Sequence, residues 1–168
     1  MIPETLGNLL APIDAHLLAQ LREHWRWAVG DELTAVGITT IGDWLFVDPE
    51  GAAYRLDTVE ASLDRVAIDM DELGRLAASP DVRDDIFLEG LVLAVLRERT
   101  LPRNHCVGFR VPPILGGDFD PSNLEIVPIE PYQMWTGRLH EALGKVPAGR
   151  EVVGVDVDDR GSVTVRLK

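Results

Sequence analysis

Two stretches near the end of the chain, Glu151 to Val157 and Ser162 to Leu167, alternate apolar and polar residues on either side of Asp158-Asp159-Arg160-Gly161. Side chains alternate between faces along a strand, so this pattern predicts two strands, joined by a turn with glycine where positive φ is wanted. Such a hairpin commits the chain to antiparallel pairing, and a second pattern of the same kind lies upstream. Ile38 to Val47 is rich in β-branched and aromatic residues, stops at Asp48-Pro49-Glu50-Gly51, and is followed by Ala52 to Asp57 as the returning strand. Ser62 to Ala67, beyond another short turn, adds a third strand to the meander.

Helical periodicity fills the intervals. Leu10, Ile13, Leu17, Leu18, Leu21, Trp25 and Val29 predict one amphipathic helix over residues 8–29, with Asp14 capping its main body after Pro12. The helical period returns from Met70 to Ala78 and from Pro80 to Arg99. Ser79-Pro80-Asp81 is a start signal for the second of these, because Ser79 can cap free amides, Pro80 loses nothing at the first position and Asp81 suits the dipole. His105 to Val111 and Leu124 to Ile129 read as short strands around the stiff, glycine-ended loop Pro112-Pro113-Ile114-Leu115-Gly116-Gly117, and Tyr132 to Leu143 reads as a helix. Helices and hairpins are interspersed without the strand-helix-strand spacing of a parallel sheet. The expected fold class is therefore α+β, a mostly antiparallel sheet of hairpins and meander packed against several helices. At 168 residues the whole chain, 1–168, is read as a single domain.

Charge narrows the partners. With 16 Lys and Arg against 28 Asp and Glu the formal net charge is −12, which argues against direct nucleic-acid binding, since that depends on clustered basic side chains. An acidic surface favours a basic partner. The one cysteine, Cys106, cannot form an internal disulfide, and the chain does not open on a charged-then-apolar signal segment, so a cytoplasmic location is expected. Leu91 to Leu96 is the longest apolar run, far below the ~18 residues that cross a bilayer, so no membrane association is expected.

Local motifs offer no catalytic, cofactor or metal constellation. None of His16, His24, His105 and His140 has the helical partner at i+4 that a zinc site shows. Cys106 and His105 are adjacent on a strand and so face opposite sides, which separates a thiol from its base. Asp118 to Glu125 spaces oxygen ligands like a calcium loop but lacks the central glycine, and Gly116-Gly117 is not followed by the residues of a phosphate cradle. Trp25 and Trp44 lie on apolar patterns and are expected to be buried. Trp27 is off that stripe and is a candidate contact residue.

The order of several short segments adds a family likeness. Gly42-Asp43-Trp44-Leu45-Phe46-Val47-Asp48-Pro49-Glu50-Gly51, then Tyr54-Arg55-Leu56-Asp57-Thr58, Cys106-Val107-Gly108-Phe109, Pro112-Pro113-Ile114-Leu115-Gly116-Gly117, Asn123-Leu124-Glu125-Ile126-Val127 and Gly137-Arg138-Leu139-His140 together resemble the bacterial DNase immunity proteins of type VI secretion, the Tdi-type immunity domain. The likeness runs over about residues 25–150, and the terminal hairpin, 151–168, extends beyond it. The resemblance implies a non-enzymatic cytoplasmic inhibitor that binds a toxin, typically a nuclease effector, and it carries no catalytic residue with it.

Asp48 and Glu50 in the acidic turn, Asp118 and Asp120 in the glycine loop, and Trp27 are the expected partner contacts. An exposed final strand would also allow a homodimer. Two other roles are open to the sequence: a regulatory or scaffolding interaction domain, and a small hydrolase using carboxylates such as Asp43 and Asp57.

Overall fold

In the computed structural model, which describes residues 2–97 and 99–168, the meander is one strand longer than the residue pattern suggests. Its strands are β1 (Thr34–Ile38), β2 (Trp44–Val47), β3 (Ala53–Asp57) and β4 (Ser62–Ala67), all antiparallel and in spatial order β1-β2-β3-β4. The run Ile38 to Val47, expected as one strand, is broken by a turn in which Gly42 takes φ +97°. The Thr39 amide donates to the Asp43 carbonyl at 2.7 Å and the Asp43 amide donates to Thr39 Oγ1 at 3.0 Å. One glycine with a left-handed backbone thus converts an apolar run into a hairpin.

The amphipathic segment 8–29 is likewise not one helix. A 3-10 turn spans Glu4–Leu9, α1 is Ala15–Leu21, a second 3-10 turn spans Arg22–Trp25 and α2 is Arg26–Val29. The chain is extended ahead of Pro12 because the sheet claims it, with Leu10 bridged to Thr39 and the Ala11 amide donating to the Ile38 carbonyl at 2.8 Å. Asp14 stands at the expected cap position, but its carboxylate accepts from Asn104 Nδ2 at 2.7 Å and pairs with Arg103 rather than with the first helical amides.

Helix α3 (Met70–Leu76) starts with a reciprocal cap: the Glu72 amide donates to Asp69 Oδ1 at 2.7 Å, and Glu72 Oε2 accepts the Ile68 amide at 2.7 Å. The long helix expected from Pro80 to Arg99 is instead α4 (Pro80–Phe87) and α5 (Glu89–Leu96), hinged at Leu88 with φ 49°. Ser79 occupies the cap position of α4 without a side-chain cap bond. Phe87 belongs to one apolar cluster and Val92 and Val95 to another, so the bend lets one stretch of chain serve two cores. Asp84 closes the hinge by accepting the Gly90 amide at 2.9 Å, and Arg83 pairs with Glu89 at 2.7 Å.

β5 (His105–Phe109) and β6 (Leu124–Pro128) form a separate antiparallel pair. The Val107 amide donates to the Thr40 carbonyl at 2.7 Å, which sets β5 against the Gly42 turn. Next come α6 (Ile129–Gly144) and the terminal hairpin of β7 (Val152–Val157) and β8 (Val163–Leu167). Arg138 of α6 holds the tip of that hairpin by donating to the carbonyls of Arg160 and Gly161 at 2.9 and 2.8 Å. The fold is α+β. Among the described residues no helix is long and apolar enough to cross a membrane.

The two cores lie on opposite faces of the meander, following the alternation of β2: Trp44 and Phe46 point into the larger, Leu45 into the smaller. One polar side chain joins the elements around the larger core. Gln133 of α6 is fully buried, and its Oε1 accepts from Trp25 Nε1 and Trp44 Nε1, each at 2.8 Å, while its Nε2 donates to the Gly42 carbonyl at 2.6 Å. Gln133→Leu would keep the volume and leave two indole N–H groups and one carbonyl buried without partners. At about 1–3 kcal/mol for each orphaned group, a loss of at least about 3 kcal/mol is expected, with a melting temperature lower by about 6–12 °C or more. Calorimetry checks this, and a change within experimental error would show that these bonds do not organise the core.

Candidate partner-binding groove

Helix α2 ends at Gly30, whose φ of +68° turns the chain into Asp31-Glu32-Leu33 before β1. Arg22, itself mostly buried, holds this loop by donating Nη2 hydrogens to the Gly30 carbonyl at 2.6 Å and the Leu33 carbonyl at 3.0 Å. Across from it is the β2–β3 turn. There Gly51, at φ +94°, donates its amide to the Asp48 carbonyl at 3.0 Å, and the Ala52 amide donates to Asp48 Oδ1 at 2.7 Å. Register brings the two segments to one end of the sheet, since Thr34 of β1 lies opposite Val47 of β2. Between them runs an open groove of about 890 Å³, with Val29, Leu33, Tyr54 and Leu63 as its apolar floor and Asp31, Glu32, Asp48 and Glu50 at its rim.

The rim is partly compensated. Asp31 pairs with Arg26 at 2.8 Å and with Arg22 at 3.9 Å, and the Arg26 hydrogen bond holds its carboxyl below the usual carboxylate range. Among the described residues no basic side chain comes within 4.0 Å of Glu32, Asp48 or Glu50. Three carboxylates with uncompensated charge thus stand over aliphatic and aromatic surface, a combination suited to the long stem and charged head of Arg or Lys.

The expected contact residues do not share one groove. Asp48 and Glu50 share this groove. Asp118 lines a smaller depression with Gly116, Gly117 and Asn123. Asp120 lies in a third, beside Arg97 and Arg99, and is engaged locally: its Oδ1 accepts the Ser122 amide at 2.9 Å and hydroxyl at 2.6 Å, which lowers its pKa. Trp27 is 42% exposed on α2 and stacks on buried Trp25 with ring centroids 5.9 Å apart, outside the lining of the groove. The residues that sequence reasoning missed are Asp31, Glu32 and Tyr54. Gly30 following a helical stretch and preceding two acids was the available signal for the first two; no local pattern marks Tyr54.

Asp43 and Asp57 do come together, around Arg55. Asp43 Oδ2 accepts from Arg55 Nε at 2.9 Å and Nη2 at 2.6 Å, and Asp57 Oδ2 accepts from Nη2 at 3.1 Å. The other Asp43 oxygen accepts the Thr58 amide at 2.8 Å and hydroxyl at 2.7 Å. Burial pushes the Asp43 carboxyl upward, while the Arg55 charge and the Thr58 donors oppose that shift. With four donors aimed at its two oxygens and 2% of its surface exposed, Asp43 is occupied within the fold. Cys106 is also buried, which raises its thiol well above the ordinary range. His105 Nδ1 lies 2.9 Å from the Arg103 carbonyl. Among the described residues no group of three or more His, Cys, Asp or Glu side chains is placed to hold a metal.

No protein-family model matches the chain, and no curated protein matches it. Among solved structures, Atu4351 from Agrobacterium tumefaciens is similar in fold, with a TM-score of 0.50 and 14% sequence identity over 89% of this chain and 72% of that one.

Two outcomes follow from this geometry. His140 is buried against Trp25, and burial lowers its pKa below the usual imidazole value, with His24 shifted the same way. A depressed folded pKa means that the unfolded chain takes up the proton more readily, so His140 destabilises the fold as pH falls below about 6.5. The urea midpoint should drop between about pH 7.5 and pH 5.5, and His140→Gln should reduce that drop; an identical pH slope in the variant would exclude His140 as the cause. For the groove wall, Arg22→Ala removes two charge-assisted hydrogen bonds and should cost about 1.5–3 kcal/mol, with faster amide exchange in Gly30 to Leu33. Unchanged exchange there would show that the wall does not rely on Arg22.

Proposed function

We propose that this chain is a non-enzymatic immunity protein, a cytoplasmic inhibitor that binds and neutralises a basic bacterial toxin, with a nuclease effector of type VI secretion as the partner. The observation that carries this reading is the preformed groove whose rim holds Glu32, Asp48 and Glu50 without basic partners over the Tyr54 and Leu63 floor. A nuclease must present positive charge to phosphate. An acidic surface with a net charge of −12 accelerates its approach and occupies the same side chains that would otherwise meet DNA. The walls need little reordering on binding, because Arg22 and the Asp48 turn already hold them.

The two carboxylates that a hydrolase reading would use are engaged within the fold. Asp43, Arg55, Asp57 and Thr58 bond to one another, and the resemblance of the Gly42-to-Gly51 and Gly116-Gly117 segments to Tdi-type immunity domains adds a family whose work is inhibition. A stable complex covers roughly 1,200–2,000 Å² in total, more than the groove alone offers, so the groove acts as one part of a wider interface.

Co-expression of the gene immediately upstream, with and without this chain, tests the role through survival of the host: rescue is expected, and unrelieved toxicity would remove the proposal. In the purified complex, Glu32→Lys combined with Glu50→Lys should slow association by at least about tenfold at low salt and flatten its dependence on ionic strength. An association rate and salt slope equal to the unmodified chain, with the fold verified by circular dichroism, would dissociate the groove from recognition.

A further inference from the structure

We infer that a second groove, between the glycine loop and β7, receives an extended apolar segment of a basic partner protein, which adds to β7 as a further strand. The inference rests on the inhibitory reading above and gives that partner a second, uncharged point of contact. The groove has a volume of about 560 Å³ and is lined by Ile114, Leu115, Leu143, Val152, Val153 and Val155 together with Gly154. Among the described residues no charged side chain lines it, although the chain carries 28 Asp and Glu. Ile114, Leu115, Val152 and Val153 are all exposed.

One wall is rigid. Asn123 clamps the loop: its Nδ2 donates to the Val111 carbonyl at 2.8 Å and the Asp118 carbonyl at 3.0 Å, and its Oδ1 accepts the Val111 amide at 3.0 Å. Gly117 packs so closely that a Cβ there would lie 1.8 Å from the Val111 carbonyl oxygen. Ile114 and Leu115 are therefore held in solvent by the loop and do not collapse onto it, which lowers the ordering cost of binding.

The other wall offers backbone. Among the described residues β7 pairs with β8 alone. The Asp158 amide donates to the Ser162 carbonyl at 3.1 Å and the Lys168 amide to the Glu151 carbonyl at 2.9 Å, so by alternation the amides and carbonyls of Val155 and Val157 point away from β8. A bulge at Val153 ends the regular register at the start of the strand. An open strand edge beside a row of apolar side chains is the geometry of strand addition, in which main-chain hydrogen bonds give affinity and alternate side chains entering the groove give selectivity.

Charge identifies the occupant. Within β7 and its flank, Asp156 is neutralised by Arg166 at 2.7 Å and Glu151 faces Lys168 at 3.7 Å. The exposed Asp118 of the loop and Asp159 of the hairpin tip have no basic side chain within 4.0 Å among the described residues. A second copy of this chain would oppose its own carboxylates and a net −12 to the same charge. An apolar segment flanked by Lys or Arg meets the uncharged groove with its middle, while its basic flanks are attracted by the surrounding acidic surface and its net charge of −12.

A phage-displayed library of random peptides of about twelve residues, selected on the full chain, tests this without any toxin. Selected peptides should alternate β-branched residues between basic flanks. The synthesised best binder should shift the amides of Val153, Val155 and Val157 in nuclear magnetic resonance spectra and slow the exchange of Val155 and Val157. Leu115→Asp and Val155→Pro should each weaken it at least about tenfold. Leu115→Asp changes an exposed side chain, so it remains decisive if Val155→Pro alters the melting curve. Failure to select such peptides, perturbations centred elsewhere, affinity that survives Leu115→Asp, or dimerisation of the chain through β7 would each overturn the inference. Because the upstream gene product is not used, failure here leaves toxin neutralisation standing, and failure of rescue leaves the peptide result standing.

Discussion

Two tryptophans in one core create a demand that apolar packing cannot meet. Each indole carries an N–H that must donate to an acceptor once water is excluded, and both converge on the single carbonyl oxygen of Gln133. An amide oxygen has two lone pairs, so both are used, and the amide nitrogen answers the Gly42 carbonyl. Trp25 lies at the junction before α2, Trp44 begins β2, Gly42 shapes the turn before it, and Gln133 belongs to α6. A change in the position of any of these elements breaks bonds to the others. The neighbouring Tyr132 depends on the same economy of space: a Cβ at Gly108 would lie 2.7 Å from its ring, and its hydroxyl accepts the Phe109 amide at 3.3 Å.

The Asp43–Arg55–Asp57 cluster acts on the sheet as Gln133 acts on the layers. Arg55 sits in β3 opposite Leu45 of β2 and Asp64 of β4, and its guanidinium reaches the Gly42 turn through Asp43 and the end of its own strand through Asp57. The Thr58 amide and hydroxyl tie the β3–β4 turn to the same carboxylate. A slip of one residue in β3 would carry Arg55 to the opposite face and leave Asp43 buried as an unmatched anion. The network selects one register, which is a use of buried charge separate from any net gain in stability.

The α+β class, the terminal hairpin and most strand positions were legible because period-two alternation and turn residues are local signals. The terminal turn, with Gly161 at φ +73°, and the capped start of α3 depend on residues close in sequence. The single strand expected over Ile38 to Val47 fails at a local feature, the left-handed Gly42, whereas the two helical misreadings arise where distant contacts override local preference. The helical pattern 8–29 is interrupted because the sheet engages Leu10 and Ala11, and the pattern from Pro80 bends because Phe87 and Val92 are buried in different cores. The acidic turn at Asp48 and Glu50 was visible as turn chemistry. Its groove was not, because Asp31 and Glu32 join it through strand register, and Tyr54 and Leu63 through the third and fourth strands of a sheet.

Under the proposed function the charged groove and the uncharged groove would carry two different physical tasks. Charge acts at range and speeds encounter, but each carboxylate that enters an interface must be desolvated, a cost that offsets much or all of its attraction to a partner cation unless the pairing geometry is close. Apolar surface has no range and little orientation, yet its burial contributes roughly 25 cal/mol per Å². Glu32 and Glu50 are suited to the first task, being exposed and without basic partners. Ile114, Leu115, Val152 and Val153 are suited to the second, being exposed and, on the loop side, held by the Asn123 clamp. If the proposed partner engages both grooves, carboxylates that stay hydrated set the rate of meeting and side chains that do not set the lifetime of the complex. A partner would then have to match a charge pattern and an apolar strand at once, a stricter condition than either surface imposes alone.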